Sequence, residues 1–380
     1  MIDRLLHTPD GVRDTLNDEC QKKQSLEREL HKVLVSFGYR DLETPTFEFF
    51  DREGNTLVLR PDFTPSIARA ASKYFREEDK AVRLCYQGNT FINGGNYQGH
   101  LKETTQMGAE LLGDESPEAD AELIAMSVEL LKKAGLQEFQ VSVGHVGFFK
   151  SLMKEAGFSE EDEAKIRSLI TMKNFFGVEE FLESFSLNEK LKKALITLPE
   201  MFGSSEVLDR AESLTDNEEA LAAVKRLKEI YELLKIYGVE KYISFDFGML
   251  NKYQYYTGVI FRGYTYGTGD AVVKGGRYDH LLARFGKPSP SIGFAVVLDQ
   301  LLSALGRQKI AVPVEQGPTL LIYEKKDRTS AMMEANNLRK QGCSVVLMEK
   351  KDTMEAYEAY GKRNGFYAVR KFDASDSLAM

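Results

Sequence analysis

Met249-Leu250-Asn251-Lys252-Tyr253-Gln254-Tyr255-Tyr256-Thr257-Gly258 is the stretch on which the reading of this chain turns. Taken alone, its adjacent tyrosines Tyr255 and Tyr256 are an ordinary core pair, each a large ring with a hydroxyl that needs a partner. The surroundings give them weight. Residues 242–247 and 259–264 read as strands on either side. Residues 267–276 are glycine-rich and read as a turn and strand, and 292–305 begins as an apolar strand that runs into a helix.

Toward the N-terminus the pattern is mixed. Residues 14–37 follow helical spacing, with Leu16, Cys20, Leu26, Leu30, Val33, Leu34 and Phe37 along one side. Gly38 is placed to cap that helix. Strands are expected at 55–59, 82–86 and 104–112, and a strongly patterned helix at 119–134. From about 147 to 237 Glu and Lys become dense and β-branched runs disappear, which predicts a helical insert between sheet-forming halves. Pro313 marks a linker across 306–317. Beyond it a strand at 319–323, a helix at 328–341, a strand at 344–348 and a helix at 353–364 alternate as in a small α/β unit. The expected domains are 1–310, insert included, and 318–380.

The chain has 380 residues, 43% hydrophobic and 28% charged, which suits a globular protein of two or three units. Its net charge of −8 argues against a long polyanion as the main ligand, so tRNA is not expected. Cys20, Cys85 and Cys343 are far apart, with no CxxC pair, and His7, His31, His100, His145 and His280 are equally scattered. Spacing therefore gives neither a metal cluster nor a disulfide framework, and the thiols read as reduced core residues of a cytoplasmic protein. Residues 1–9 lack an apolar stretch of signal-peptide length, and no run is long enough to span a bilayer.

Several short motifs, in order, carry a resemblance to the class II aminoacyl-tRNA synthetases, and to the histidyl enzymes among them. Phe37-Gly38-Tyr39 through Thr44-Pro45 to Glu48 resembles their first motif, whose helix and proline build a dimer interface. Leu59-Arg60-Pro61-Asp62-Phe63-Thr64 is similar to the histidyl arginine-proline-glutamate-glycine-threonine. Residues 90–113 line up with the second motif. Tyr255-Tyr256 matches the tyrosine pair of the histidine pocket, and Gly275-Gly276-Arg277-Tyr278-Asp279 a further signature. Ser291-Ile292-Gly293-Phe294-Ala295 resembles the start of the third motif. The resemblance implies an α/β (α+β) body on an antiparallel sheet flanked by helices, with the helical insert and a small C-terminal α/β domain.

The departures carry the functional expectation. Where the synthetases hold ATP phosphates with arginines, this chain has Ile92 and Gln300; a glutamate that meets adenine becomes Gly94. In the pocket signature Asn251 replaces an arginine and Gln254 an aspartate. Cationic groups aimed at developing negative charge are what phosphoryl and adenylyl chemistry depends on, so no catalytic residue is expected. The amino-acid pocket is better kept. The resemblance places α-amino contacts on Asp62, Thr64 and Gln106, and imidazole contacts on Glu110, Tyr256 and Tyr278, with Tyr255 beside them. A carboxylate, hydroxyl and amide suit an ammonium, and a glutamate with a phenol suits two ring nitrogens. Read without the resemblance, Asp62 and Thr64 are turn chemistry beside Pro61. Gln106 and Glu110 are then a solvated strand face, and Gly275-Gly276 is a bulge or turn. The acidic run 159–163 reads as a helix start.

One family keeps the histidyl-synthetase body without those arginines: the regulatory subunits of short-form ATP phosphoribosyltransferase, the first enzyme of histidine biosynthesis. The resemblance implies a non-catalytic subunit that activates a catalytic partner and mediates feedback inhibition by L-histidine. It implies a homodimer through the first motif, within a hetero-octamer of four regulatory and four catalytic chains. No cofactor, metal or membrane contact is expected. A divergent histidyl-tRNA synthetase and a histidine-binding module for another partner remain open alternatives.

Overall fold

The computed structural model describes residues 12–44, 59–92, 101–250, 255–314 and 317–373, and the backbone alone at 47–50 and 56–58. The chain packs as two compact units, one centred on Glu27–Ala311 and the other on the chain from Val312 together with Arg13–Leu26. Among the described residues, the first unit is organised on a nine-stranded sheet. Its centre is antiparallel: Val82–Phe91, Glu103–Leu112, Ser291–Val297, Val273–Arg277, Val259–Thr265 and Phe139–His145 lie side by side in that order. Arg40–Asp41 adds parallel to Val82–Phe91, and Ile243–Asp246 adds parallel to Phe139–His145.

Strand alternation separates two faces. Phe261, Gly263, Gly275 and Phe294 point one way; a Cβ on Gly263 would meet Leu131 of the helix Pro117–Lys133 at 3.3 Å. That helix begins with Ser116, whose Oγ accepts from the Ala119 N–H at 3.2 Å, and with Pro117 in its first turn. It buries Leu123, Ile124, Leu130 and Leu131 between the sheet and the helix Glu218–Ile236. At about 1.5–3 kcal/mol for each such side chain, this face supplies much of the hydrophobic stabilisation. The opposite face carries Glu110, Gly293, Gly276 and Ile260 in one row across four strands, and it holds the candidate site.

The N-terminal helix runs Asn17–Ser36 and stops at Gly38, whose φ of +82° closes the last turn with Tyr39 N–H on the Leu34 carbonyl. The 147–237 region is helical in the main. The acidic start at 159–163 is a capping box, with Ser159 and Asp162 exchanging side-chain and backbone bonds. It is not wholly helical: Phe202–Gly203 pairs with Phe245 and Asp246 as the outermost strand of the large sheet. Two residues have no period to read, and tertiary pairing alone makes them a strand. The strand expected at 55–59 is seen at Thr56–Val58, paired antiparallel with Phe47–Phe50. Residues 1–9, Pro45, Asp51, Asn55, Gly94, Asn251 and Gln254 lie outside the described residues.

The second unit is a three-stranded parallel sheet in the order Val345–Glu349, Thr319–Tyr323, Ala368–Lys371. Leu321 packs with Ala331 and Ala335 of the helix Arg328–Lys340, while Leu320 and Ile322 pack with Tyr357 of the helix Met354–Arg363. Alternate residues of the central strand thus feed opposite faces, as a parallel sheet covered on both sides requires. The last strand was not read from the sequence.

Candidate functional site

Glu110 sits between Leu84 and Gly293 in the sheet register and is 1% exposed. Two hydroxyls hold its carboxyl. Thr64 Oγ1 donates to Oε1 at 3.0 Å, and Tyr278 OH donates to Oε2 at 2.5 Å. Burial pushes the Glu110 pKa up to about 8 against those hydrogen bonds, and the neighbouring Asp62 carboxyl adds to the rise.

Asp62 lies where the chain turns into the helix Thr64–Tyr74. Its Oδ1 accepts from the Thr64 backbone N–H at 3.2 Å, so the turn chemistry read from Pro61-Asp62 is present. The other oxygen, Oδ2, accepts from Tyr255 OH at 3.2 Å. Burial raises the Asp62 pKa as well, against the bonds from Thr64 and Tyr255. Tyr255 stacks obliquely on Tyr256, with centroids 4.7 Å apart, and meets the Tyr278 ring edge-on at 6.2 Å. Tyr256 in turn packs on Val146, Met249 and Ile260. The tyrosine pair is therefore half core and half site. The fold brings Asp62, Thr64, Glu110, Tyr255, Tyr256 and Tyr278 into one contact network.

Gln106 lies outside that network. It shares the strand face of Glu110, roughly 14 Å along at about 3.4 Å per residue. Its cross-strand neighbours are Gly88 and Val297, and its side chain makes no hydrogen bond among the described residues.

Read alone, Gly275-Gly276 is a bulge or turn; both glycines lie in a strand. Gly276 and Gly293 are mid-strand, opposite one another. A Cβ at Gly293 would lie 1.5 Å from Glu110 Oε2, and one at Gly276 would lie 2.6 Å from the Tyr256 ring. They leave the floor open so that a carboxyl and an aromatic ring can lie over bare backbone. Glycine inside a strand pattern is itself the signal of such close approach.

Behind the floor, Arg277 points the other way. Its guanidinium meets Asp120 Oδ1 at 2.6 Å, and Arg226 meets Asp120 Oδ2 at 2.7 Å, with Asp120 fully buried. Arg277 also donates to the Asp114 carbonyl at 3.0 Å and to Asp279 Oδ1 at 3.2 Å. The Gly-Gly-Arg-Tyr-Asp run thus splits its labour: glycines open the floor, Arg277 anchors the back, and Tyr278 reaches Glu110.

A comparison with protein families matches residues 41–301 to histidyl-tRNA synthetase. Among curated proteins, an ATP phosphoribosyltransferase regulatory subunit of Acetivibrio thermocellus is 39% identical, covering 98% of this chain and 93% of that protein. The like-named protein of Ruminiclostridium cellulolyticum is 37% identical, covering 97% and 93%. The chain belongs to the ATP phosphoribosyltransferase regulatory subunit family. A solved member from Bacillus halodurans, described as ATP phosphoribosyltransferase regulatory subunit/histidyl-tRNA synthetase, superposes with a TM-score of 0.85 at 31% identity, covering 97% of this chain and 98% of that one. Histidyl-tRNA synthetase from Nostoc sp. PCC 7120 superposes with a TM-score of 0.82 at 18% identity, over 98% and 93%, and shares the fold.

Two of the departures that set this regulatory subunit's sequence apart can be placed. Ile92 follows the strand Val82–Phe91 and is 48% exposed. Gln300 is half-buried on the helix Leu298–Arg307, next to Asp299, which accepts from the Thr105 N–H at 2.6 Å. Among the described residues no helix is long and apolar enough to cross a membrane.

Proposed function

We propose that this regulatory subunit senses L-histidine in the pocket around Glu110 and passes that signal to a catalytic phosphoribosyltransferase chain. The observation that carries the reading is the pair of buried carboxyls. Burial raises the pKa of both Asp62 and Glu110, and among the described residues neither carboxyl is ion-paired. Such a pair, though hydrogen-bonded, lacks positive charge. Histidine supplies it, an ammonium for Asp62, Thr64 and Gln106 and an imidazole for Glu110, Tyr256 and Tyr278. Tyr255 orients Asp62. With Ile92 and Gln300 in place of phosphate-gripping arginines, the pocket binds without activating. The subunit works in the cytoplasm as a homodimer built on the first class II motif, assembled with its catalytic partner into the hetero-octamer. Histidine binds one conformation of that assembly better and shifts it toward the inhibited state.

Reconstitution tests this. Adding the chain to the catalytic subunit raises phosphoribosyltransferase activity, and L-histidine then lowers it. The chain alone leaves histidine-dependent pyrophosphate–ATP exchange at background. Exchange above background, or activation that histidine does not reverse, contradicts the reading.

The pocket also sets a pH window. Between a free imidazole pKa of about 6.5 and the Glu110 pKa of about 8, the unliganded carboxyl is protonated and the ligand ring neutral. One proton then serves the Glu110–imidazole pair in the complex. Below that window the ligand must shed a proton, and above it Glu110 has already lost its own. Affinity by calorimetry is therefore highest at pH 6.5–8. The alkaline decline begins near pH 8. Glu110→Gln removes the component of that decline centred there.

A further inference from the structure

Away from the pocket, three metal-ligating side chains of different chemistry meet at the edge of the large sheet. His31 comes from the helix Asn17–Ser36, Asp41 from the strand Arg40–Asp41 and Cys85 from the strand Val82–Phe91. The parallel register sets Asp41 directly beside Cys85, and the Gly38 turn returns the chain so that His31 faces them. His31 Nε2 lies 2.9 Å from Asp41 Oδ1, and Cys85 Sγ lies 3.3 Å from that same oxygen. All three donor atoms fall within 4.8 Å of one another. We propose that His31, Asp41 and Cys85 form a binding site for a borderline divalent cation of the zinc and cobalt class.

The dimensions fit. Bonds of about 2.0–2.3 Å from nitrogen, oxygen and sulfur to a tetrahedral centre put the donors roughly 3.3–3.7 Å apart. The His31–Asp41 separation has to open by a few tenths of an ångström, and the His31–Cys85 separation has to close by about 1.5 Å at most. Side-chain rotation covers both. The donor set selects the ion: one imidazole, one carboxylate and one thiolate suit Zn²⁺ or Co²⁺, whereas Mg²⁺ and Ca²⁺ want oxygen alone. Cys85 is fully buried and forms the base of the site, while the His31 and Asp41 side chains are 38% and 71% exposed. A water takes the fourth position. Once bound, the cation ties the N-terminal helix to the sheet edge and stabilises the folded chain over the unfolded one. Nothing in the sequence marks the trio, because the ligands are spread across three elements and only the parallel pairing assembles them.

Cobalt alone is the probe. The full chain, stripped with chelator and kept reduced without added thiol, is titrated with Co²⁺. A cobalt–thiolate charge-transfer band and tetrahedral visible bands should saturate at one equivalent and be bleached by Zn²⁺. Cys85→Ser removes the charge-transfer band; Cys20→Ser and Cys343→Ser keep it. His31→Ala lies in a half-exposed position that the fold tolerates. It weakens Co²⁺ binding by roughly tenfold or more, at least the cost of losing a supporting partner. The proposal is overturned if the folded wild-type chain shows no thiolate band at saturating Co²⁺. A band that survives Cys85→Ser, or an unchanged affinity in His31→Ala, overturns it as well.

Discussion

Replacing Glu110 with alanine lowers the affinity for L-histidine by roughly ten- to a hundredfold while leaving the subunit folded and assembled with its partner. The magnitude follows from the lost charge-assisted hydrogen bond, worth about 1.5–3 kcal/mol. Reciprocity then requires the inhibition curve of the reconstituted enzyme to move to higher histidine by a comparable factor. Activation, which depends on assembly, persists. Stability moves the other way from what a core residue would show. Burial holds the Glu110 carboxyl at about 8 in the fold against 4.5 in the unfolded chain. The favourable contribution of the protonated form is therefore complete below pH 4.5 and erodes as pH rises through 8. At pH 8 the shape-conserving Glu110→Gln is expected to melt no lower than wild type, whereas both variants bind histidine poorly. Calorimetry, inhibition curves and light scattering check the set. An unmoved inhibition curve in a variant that assembles normally removes this pocket from the feedback mechanism.

The parts of this arrangement that can be read from the chain are those written in short local motifs. Pro61-Asp62 with Thr64 encodes a turn, and the turn bond forms; Gln106 and Glu110 are four apart on a strand and do share a face. Most central strands and the longer helices follow from period, because each has a patterned run; the strand Phe139–His145 and the helix Thr64–Tyr74 are not among the elements read from the sequence. Tertiary context explains the rest. Phe202–Gly203 is a strand only because Phe245 and Asp246 offer it an edge. The strand Ala368–Lys371 ends in two exposed cations, Arg370 and Lys371, and carries no alternation strong enough to mark it. Gly275-Gly276 reads as a bulge or turn until the register sets Gly276 opposite Gly293, beneath Tyr256 and Glu110. The Arg277–Asp120 pair spans 157 residues of chain, and no local pattern could announce it.

Asp120→Ala is expected to lower the unfolding free energy by on the order of 3–5 kcal/mol, the cost of truncating one member of a buried ionic network. Asp120 is fully buried and takes charge from two arginines, Arg277 with its side chain 7% exposed and Arg226 at 23%. Its removal strands Arg277 in the interior, where Asp279 at 3.2 Å and the Asp114 carbonyl at 3.0 Å make up only part of the loss. The figure measures truncation and not the net worth of the network, since an apolar replacement of the whole set can be near neutral. Asp120→Asn keeps the shape and an acceptor oxygen, so its loss is smaller. Urea unfolding at constant m-value reads both. The consequence for function lies one residue along the chain. Arg277 and Tyr278 are neighbours whose side chains serve opposite faces, and the anchored guanidinium helps fix where the Tyr278 phenol meets Glu110. Histidine affinity should therefore fall in Asp120→Ala under conditions where the variant is still folded. If stability falls and affinity does not, the backbone bond from Tyr278 N–H to the Ser291 carbonyl, at 2.7 Å, is enough to aim the phenol, and the network behind the sheet serves the fold alone.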